Sequence, residues 1–173
     1  DDKIVAEGSS NTIDGGAGDD NISSGDGSAT LNGGSGDDVL KAGDGGATLD
    51  GGSGNDKIYG NAGDDRIIGG DGDDILVGDE GTNIFVFEPG FGNDIISVSA
   101  GTDTLDFSTI TSDLIITASD PTFSQTRLLV SGVDGSVTQD GFAIDAILSG
   151  SGNDLFEFYS YGDGSIMVDG AAG

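Results

Sequence analysis

The 173-residue chain has no cysteine, no histidine and no tryptophan, and only two prolines. Without cysteine there is no disulfide framework to staple it. Without histidine, imidazole-based catalysis and the usual zinc ligand sets are excluded. Basic residues are scarce. Five Lys and Arg stand against 32 Asp and Glu, a net charge of −27. Such a chain repels nucleic acid and anionic membranes and attracts cations. No apolar run is long enough to span a bilayer. The opening DDKIVAEGSS lacks the basic and apolar regions of a signal peptide, so it reads as a start inside a longer protein. The length suits one domain.

Glycine and acid are what the chain has in excess, and that composition alone fits disorder, which is the expectation for the metal-free state. The apolar residues argue for order, because they are strictly phased. In GGSGNDKIY GNAGDDRII GGDGDDILV (residues 51–77), an Asp stands at each sixth place and an apolar residue at each eighth. Stepping by nine, the eighth places are Ile4, Ile13, Ile22, Leu31, Leu40, Leu49, Ile58, Ile67, Leu76 and Phe85. Internal repetition of this kind means a solenoid. Glycines supply tight turns, and the closing three residues alternate as a very short strand with one buried side chain.

The nines alternate in kind. GGAGDDNIS, GGSGDDVLK, GGSGNDKIY and GGDGDDILV are full, whereas SGDGSATLN and AGDGGATLD carry Ala29 and Ala47 at the sixth place. A pair of nines therefore forms one coil. Successive coils stack as parallel strands about 4.8 Å apart, with turns two units apart directly over one another. Eighth-place Ile and Leu fill a thin core. Stacked carboxylates would repel unless cations sit between them.

The full nines match G-G-x-G-x-D-x-U-x, the Ca²⁺-binding signature of RTX proteins. The chain resembles the RTX (repeats-in-toxin) family over roughly residues 1–97. The resemblance implies an all-β, right-handed parallel β-roll holding several Ca²⁺ ions between turns, bound by sixth-place carboxylates and by carbonyls of the Gly-rich loops. The carboxylates are Asp20, Asp38, Asp56, Asp65, Asp74, Asp94 and Asp154; the loop positions are Gly15, Ala17, Gly33, Ser35, Gly51, Ser53, Gly69 and Asp71. It also implies export from a bacterium by one-step (type I) secretion.

Beyond Val86 two residues are inserted before PGFGNDIIS restores the loop at Asp94. Residues 98–148 are expected to leave the repeat as short strands (TDTLDFS, SDLIITAS, TRLLVSG, GSVTQDG) with a loop at Pro121. SGSGNDLFE then restores the loop at Asp154. The expected division is a roll over 1–97 and a β-rich extension over 98–173. If that extension folds back as one wide coil, Asp154 closes a site against Asp94. The succession FVF, GFGNDII, GTDTLDFS and GSGNDLFEF is similar to segments of large secreted RTX surface proteins. The end, YGDGSIMVDGAAG, does not clearly resemble the usual C-terminal export signal.

One flank should carry Asp20, Asp38, Asp56, Asp74 and Asp94, in four sandwiched sites. The other offers Asn11, Ala29, Ala47, Asp65 and Asn83, with early turns metal-free and closed by their own hydrogen bonds, and at most one or two weaker sites around Asp65. Asp26 and Asp44 read as ordinary turn residues. Asp14, Asn32 and Asp50 either bind metal or brace the turn. EF-hand ligation fails because DGDDILVGDE puts Ile75 where the third ligand belongs. Carboxylate pairs belong to repeat loops, and serine lacks its usual base, so no enzyme is expected. Phe85, Phe87, Phe107, Phe156 and Phe158 read as core.

The expected function is that of a calcium-dependent folding module of an exported, extracellular or cell-surface protein supporting adhesion. The alternatives are the C-terminal export module of a secreted protease, lipase or toxin, and a direct binder of polysaccharide, ice or a cell surface. Expected partners are calcium ions, surface glycans and other domains of the same long chain, with no nucleic acid, no membrane insertion and a monomeric state.

Overall fold

In the computed structural model, residues 1–8, 10–119, 126–132, 135–141, 146–158 and 167–170 are described. Among them there is no helix. Short strands alternate between two sheets. β1 (Lys3–Val5), β3 (Asn21–Ser23), β5 (Val39–Lys41), β7 (Lys57–Tyr59), β9 (Ile75–Gly81) and β11 (Gly92–Gly101) stack in the first. β2 (Ser10–Ala17), β4 (Ser28–Ser35), β6 (Ala47–Ser53), β8 (Arg66–Asp71), β10 (Ile84–Val86) and β12 (Thr104–Asp106) stack in the second. Every pairing between these strands is parallel. This is the β-roll that the phasing predicts.

The register is the sequence period. Ile4 lies over Ile22, Ile22 over Leu40, Leu40 over Ile58 and Ile58 over Leu76. Ile13, Leu31, Leu49, Ile67 and Phe85 form the matching row in the second sheet. From Ile22 to Phe85 these eighth-place side chains are fully buried, while Ile4 and Ile13 at the open end are only partly so. Each buried Ile or Leu contributes about 1.5–3 kcal/mol. A one-residue slip would turn the whole row outward, which is why the register holds.

The two-residue insertion shifts β11 to a spacing of twenty, with Ile96 over Leu76, and bulges the pairing at Val98. The added length is filled by rings. Phe87 stacks on Phe107 at 4.4 Å between centroids and meets Phe91 edge-on at 5.3 Å. All three are buried, as is Phe85. The rings of Phe156 and Phe158 and the Pro121 loop lie outside the described residues.

Two expectations are corrected. The nine at 98–106, VSAGTDTLD, stays in step rather than leaving the repeat: Leu105 lies over Phe85 in β12. Its glycine-poor opening hid the period. The wide coil also differs from the one expected. β13 (Ile115–Ser119), β14 (Thr126–Gly132) and β15 (Gly135–Gly141) form an antiparallel run, and it is β15 that pairs with β11. β16 (Ala146–Ser149) then returns to β12, β17 (Leu155–Phe158) pairs with β13, and β18 (Met167–Gly170) pairs with β16.

Candidate metal centre

The turns leading from the second sheet to the first stack on one flank. Asp20, Asp38, Asp56, Asp74 and Asp94 are buried there, each at most 2% exposed. Each Oδ1 accepts a backbone N–H from the coil before it. Asp2 N–H donates to Asp20 (2.5 Å), Asp20 to Asp38 (2.7 Å), Asp38 to Asp56 (2.7 Å), Asp56 to Asp74 (2.8 Å) and Asp74 to Asp94 (2.9 Å). The other oxygen, Oδ2, is buried in each of these five residues and has no protein partner. A buried carboxylate oxygen left so is costly, and a row of them more so.

Those oxygens converge with backbone carbonyls. A Cβ built on Gly33 would lie 2.4 Å from Asp38 Oδ2 and 2.6 Å from the Gly51 carbonyl; on Gly51, 2.3 Å from Asp56 Oδ2 and 2.5 Å from the Gly69 carbonyl. Gly15 repeats this with Asp20 and the Gly33 carbonyl, and Gly69 with Asp74. The first-place glycine thus leaves a space into which an anionic and a neutral oxygen both point. Hard oxygen donors of this mixture suit Ca²⁺. Among the described residues no three carboxylates gather around one point, so carbonyls are needed to complete any ligand set. The third-place carbonyls are partly committed. Those of Ser35, Ser53 and Asp71 accept N–H bonds from Gly18, Gly36 and Gly54.

The opposite flank is sparser. Asp65 repeats the pattern: it is buried, its Oδ1 accepts the Ala47 N–H at 2.8 Å, and its Oδ2 has no partner beside Gly60. Asn83 stands next and accepts the Asp65 N–H at 3.2 Å. Its own amide donates to Asp103 Oδ1 at 3.0 Å, an amide bridge between coils. The early turns there are joined to the following coil rather than closed on themselves, with Ala6 N–H donating to Ser23, Ser24 to Lys41 and Ala42 to Tyr59.

Asp154 does not face Asp94. Its Oδ1 accepts the N–H of Leu114 at 3.0 Å, because β17 lies on β13. Asp94 is instead in register with Val137 of β15. The antiparallel strands β15 and β14 intervene, so no site joins Asp94 to Asp154.

The protein-family model of the RTX calcium-binding nonapeptide repeat matches four copies, at residues 1–31, 23–58, 50–85 and 90–108, more than half of the chain. The chain belongs to this family. No curated protein matches it. It is an RTX calcium-binding repeat module, and the repeat extends through the nine at Val98.

A second row in these RTX loops was not anticipated. The fifth-place residues are exposed, and each Oδ1 accepts an N–H from the coil after it. Asp1 takes Asp19, Asp19 takes Asp37, Asp37 takes Asn55, Asn55 takes Asp73 and Asp73 takes Asn93. Adjacent Asx residues thus reach in opposite directions along the roll, one outside and one inside. The signal was present as Asp or Asn at every fifth place of the full nines. Asp103 was missed as well. It is buried at the sixth place of the nine whose first two places lack glycine.

Burial raises the carboxyl pKa along the inner row. Asp56 is pushed up to about 7, by desolvation first and then by the charges of Asp74 and Asp38, against the Asp38 N–H that holds it down. Desolvation is also the main cause at Asp74 (about 6), Asp94 (about 8) and Asp65 (about 6), and raises Asp38. A raised folded pKa means that the metal-free fold binds more protons than the unfolded chain. Its stability therefore falls as pH rises from the model-peptide range near 4 through about 8. In EGTA, acidification from pH 8 to pH 5 should increase β structure by circular dichroism. Calcium binding at pH 7 should release protons, measurable in weakly buffered solution. A metal-free β signal that grows on going from pH 5 to pH 8 would contradict the buried row.

Proposed function

We propose that this RTX module is a calcium-operated structural domain of an exported bacterial protein, folding where calcium is abundant and supporting surface adhesion. The observation that carries the calcium reading is the inner row: five stacked carboxylates, each with one oxygen engaged by backbone and one buried oxygen without a partner. Asp20, Asp38, Asp56 and Asp74 would hold ions with the carbonyls of Gly33, Gly51, Gly69 and neighbouring loop residues, and Asp94 would close the row. Asp65 and Asp103 would support a shorter set across the roll. Calcium would supply positive charge between coils and mass-action stabilisation of the folded state. The candidate carboxylates lie in repeat turns and the chain has neither histidine nor cysteine, which favours a non-catalytic role. The resemblance of FVF, GFGNDII, GTDTLDFS and GSGNDLFEF, between Phe85 and Phe158, to segments of large surface proteins supports adhesion over the tail of a secreted hydrolase. Sequence upstream separates the two, since a catalytic domain there would favour the tail.

Anomalous scattering from calcium-grown crystals tests the site assignment. The expected map has a continuous row of peaks along the Asp20–Asp94 flank, with the opposite flank bare beside Ala29 and Ala47. Two equal rows from end to end would refute the lopsided ladder.

A further inference from the structure

The charge of this molecule is not evenly spread. Asp79 and Glu80 extend β9 past the three-residue span that the strands of the first sheet share; within that span, from β1 to Ser97 in β11, the outward side chains are Lys3, Val5, Asn21, Ser23, Val39, Lys41, Lys57, Tyr59, Ile75, Val77, Ile95 and Ser97. None is acidic, although the chain carries −27, and three of its five basic residues are here. The second sheet's outer face, by contrast, holds Asp14, Asp50 and Asp106, and the turn flanks are acidic throughout. Lys3, Lys41 and Lys57 are exposed. Ile75 and Ile95 remain 37% and 47% exposed, and Lys41 Nζ sits 5.3 Å from the centre of the Tyr59 ring.

The face is also narrow. β3, β5 and β7 are three residues wide, while the strands succeed one another at about 4.8 Å along the roll axis. A strip so narrow is far below the roughly 800 Å² per partner that a stable protein interface needs. It fits a linear chain lying along the axis. We propose that this strip binds an acidic polysaccharide, with Lys41 and Lys57 meeting its carboxylates and with Tyr59, Ile75 and Ile95 lying against the apolar faces of its sugars. A glycan with one acid per disaccharide suits three separated ammonium groups. Duplex DNA, with one charge per ~1.7 Å of axis, would be repelled by the flanking carboxylates more than it is attracted here.

The test uses the calcium-loaded chain and a hyaluronate oligosaccharide, followed by titration calorimetry at low salt. Binding is expected, with loss of affinity of at least about fivefold in Lys41→Gln/Lys57→Gln and a further loss in Tyr59→Ala. Circular dichroism should show the calcium midpoint of these outward-facing variants unchanged. Neutral dextran should not bind. Three results would overturn the proposal: no binding, binding untouched by the lysine and tyrosine changes (calcium bridging at the acidic flanks), or tighter lysine-dependent binding of a single-stranded oligonucleotide than of the glycan.

Discussion

Moved from millimolar Ca²⁺ into EGTA at neutral pH, the chain should lose its β spectrum and regain it when calcium is restored. The core explains why burial alone does not hold the roll. Each coil contributes one apolar side chain per strand, and two of the first, Ile4 and Ile13, are only partly covered. Against this stand buried carboxylates one coil apart, each with an unpaired oxygen. Extracellular calcium modules typically bind at about 10⁻⁴–10⁻³ M. A site held at ten times its Kd stabilises the fold by about 1.4 kcal/mol, and several such sites act together. Asp38→Ala and Asp56→Ala should raise the calcium needed for folding several-fold, whereas Asp26→Ala and Asp44→Ala, in exposed turns, should leave it nearly unchanged. Asp56→Asn separates two roles. The amide keeps an oxygen for the Asp38 N–H but loses the charge, so the calcium midpoint should still rise steeply. Full rescue by Asn would mean that the row is a hydrogen-bond ladder and not a metal site. A complete β spectrum in EGTA would remove calcium from the folding account.

Much of this was legible because the repeat couples one residue type to one place. Eighth-place Ile and Leu gave the core and the register, and the alternation of full and Ala-bearing nines gave the coil. The aromatic insertion also announced itself, since two extra residues displaced the period between Val86 and Asp94. What could not be read depended on pairing across long separations. β14 and β15 turn the chain back antiparallel, and nothing in TRLLVSG or GSVTQDG distinguishes a neighbour along the roll from a hairpin partner. The pairing of Asp154 with Asp94, conditional on one wide coil, therefore does not form, although the Asp154 loop is a good nine. Asp103 is hidden for the opposite reason: its place in the period is right, but Val98 and Ser99 stand where the first two glycines usually are. The direction of each side chain was also beyond the pattern. That the fifth-place Oδ1 meets the coil after and the sixth-place Oδ1 the coil before is visible only in the folded turns.

The first-place glycine yields the second large effect. Gly51→Ala should damage the roll more than its torsion suggests. Gly52 and Gly54 have φ of 101° and 129°, where an L side chain is strained by about 1–2 kcal/mol. Gly51 is not in that region, so any residue can adopt its backbone. Its constraint is occupancy: a Cβ would sit 2.3 Å from Asp56 Oδ2 and 2.5 Å from the Gly69 carbonyl. Neither can move freely, because Asp56 is also held by the Asp38 N–H and Gly69 lies in β8. The methyl group would push the carboxylate away from the ion it is proposed to hold. The cost should reach the upper end of the roughly 1–3 kcal/mol range for overpacking, with a calcium midpoint raised as far as in Asp56→Ala. The sequence contains its own control. Where the sixth place is Ala29 or Ala47, the first place is Ser24 or Ala42; where it is Asp65 or Asn83, the first place is Gly60 or Gly78. Within the regular nines from Gly15 to Val86, a first-place side chain occurs only where the sixth place is Ala, whereas Pro89, Val98 and Ser149 precede Asp94, Asp103 and Asp154 beyond the insertion. Gly60→Ala alone, with a Cβ 2.3 Å from Asp65 Oδ2, should therefore destabilise the calcium-loaded fold, while Gly60→Ala/Asp65→Ala should be no worse than Asp65→Ala. Denaturant unfolding of the four proteins in saturating calcium measures this coupling as a double-mutant cycle. Additive losses would show that the first-place glycine serves the turn and not the space beside the carboxylate.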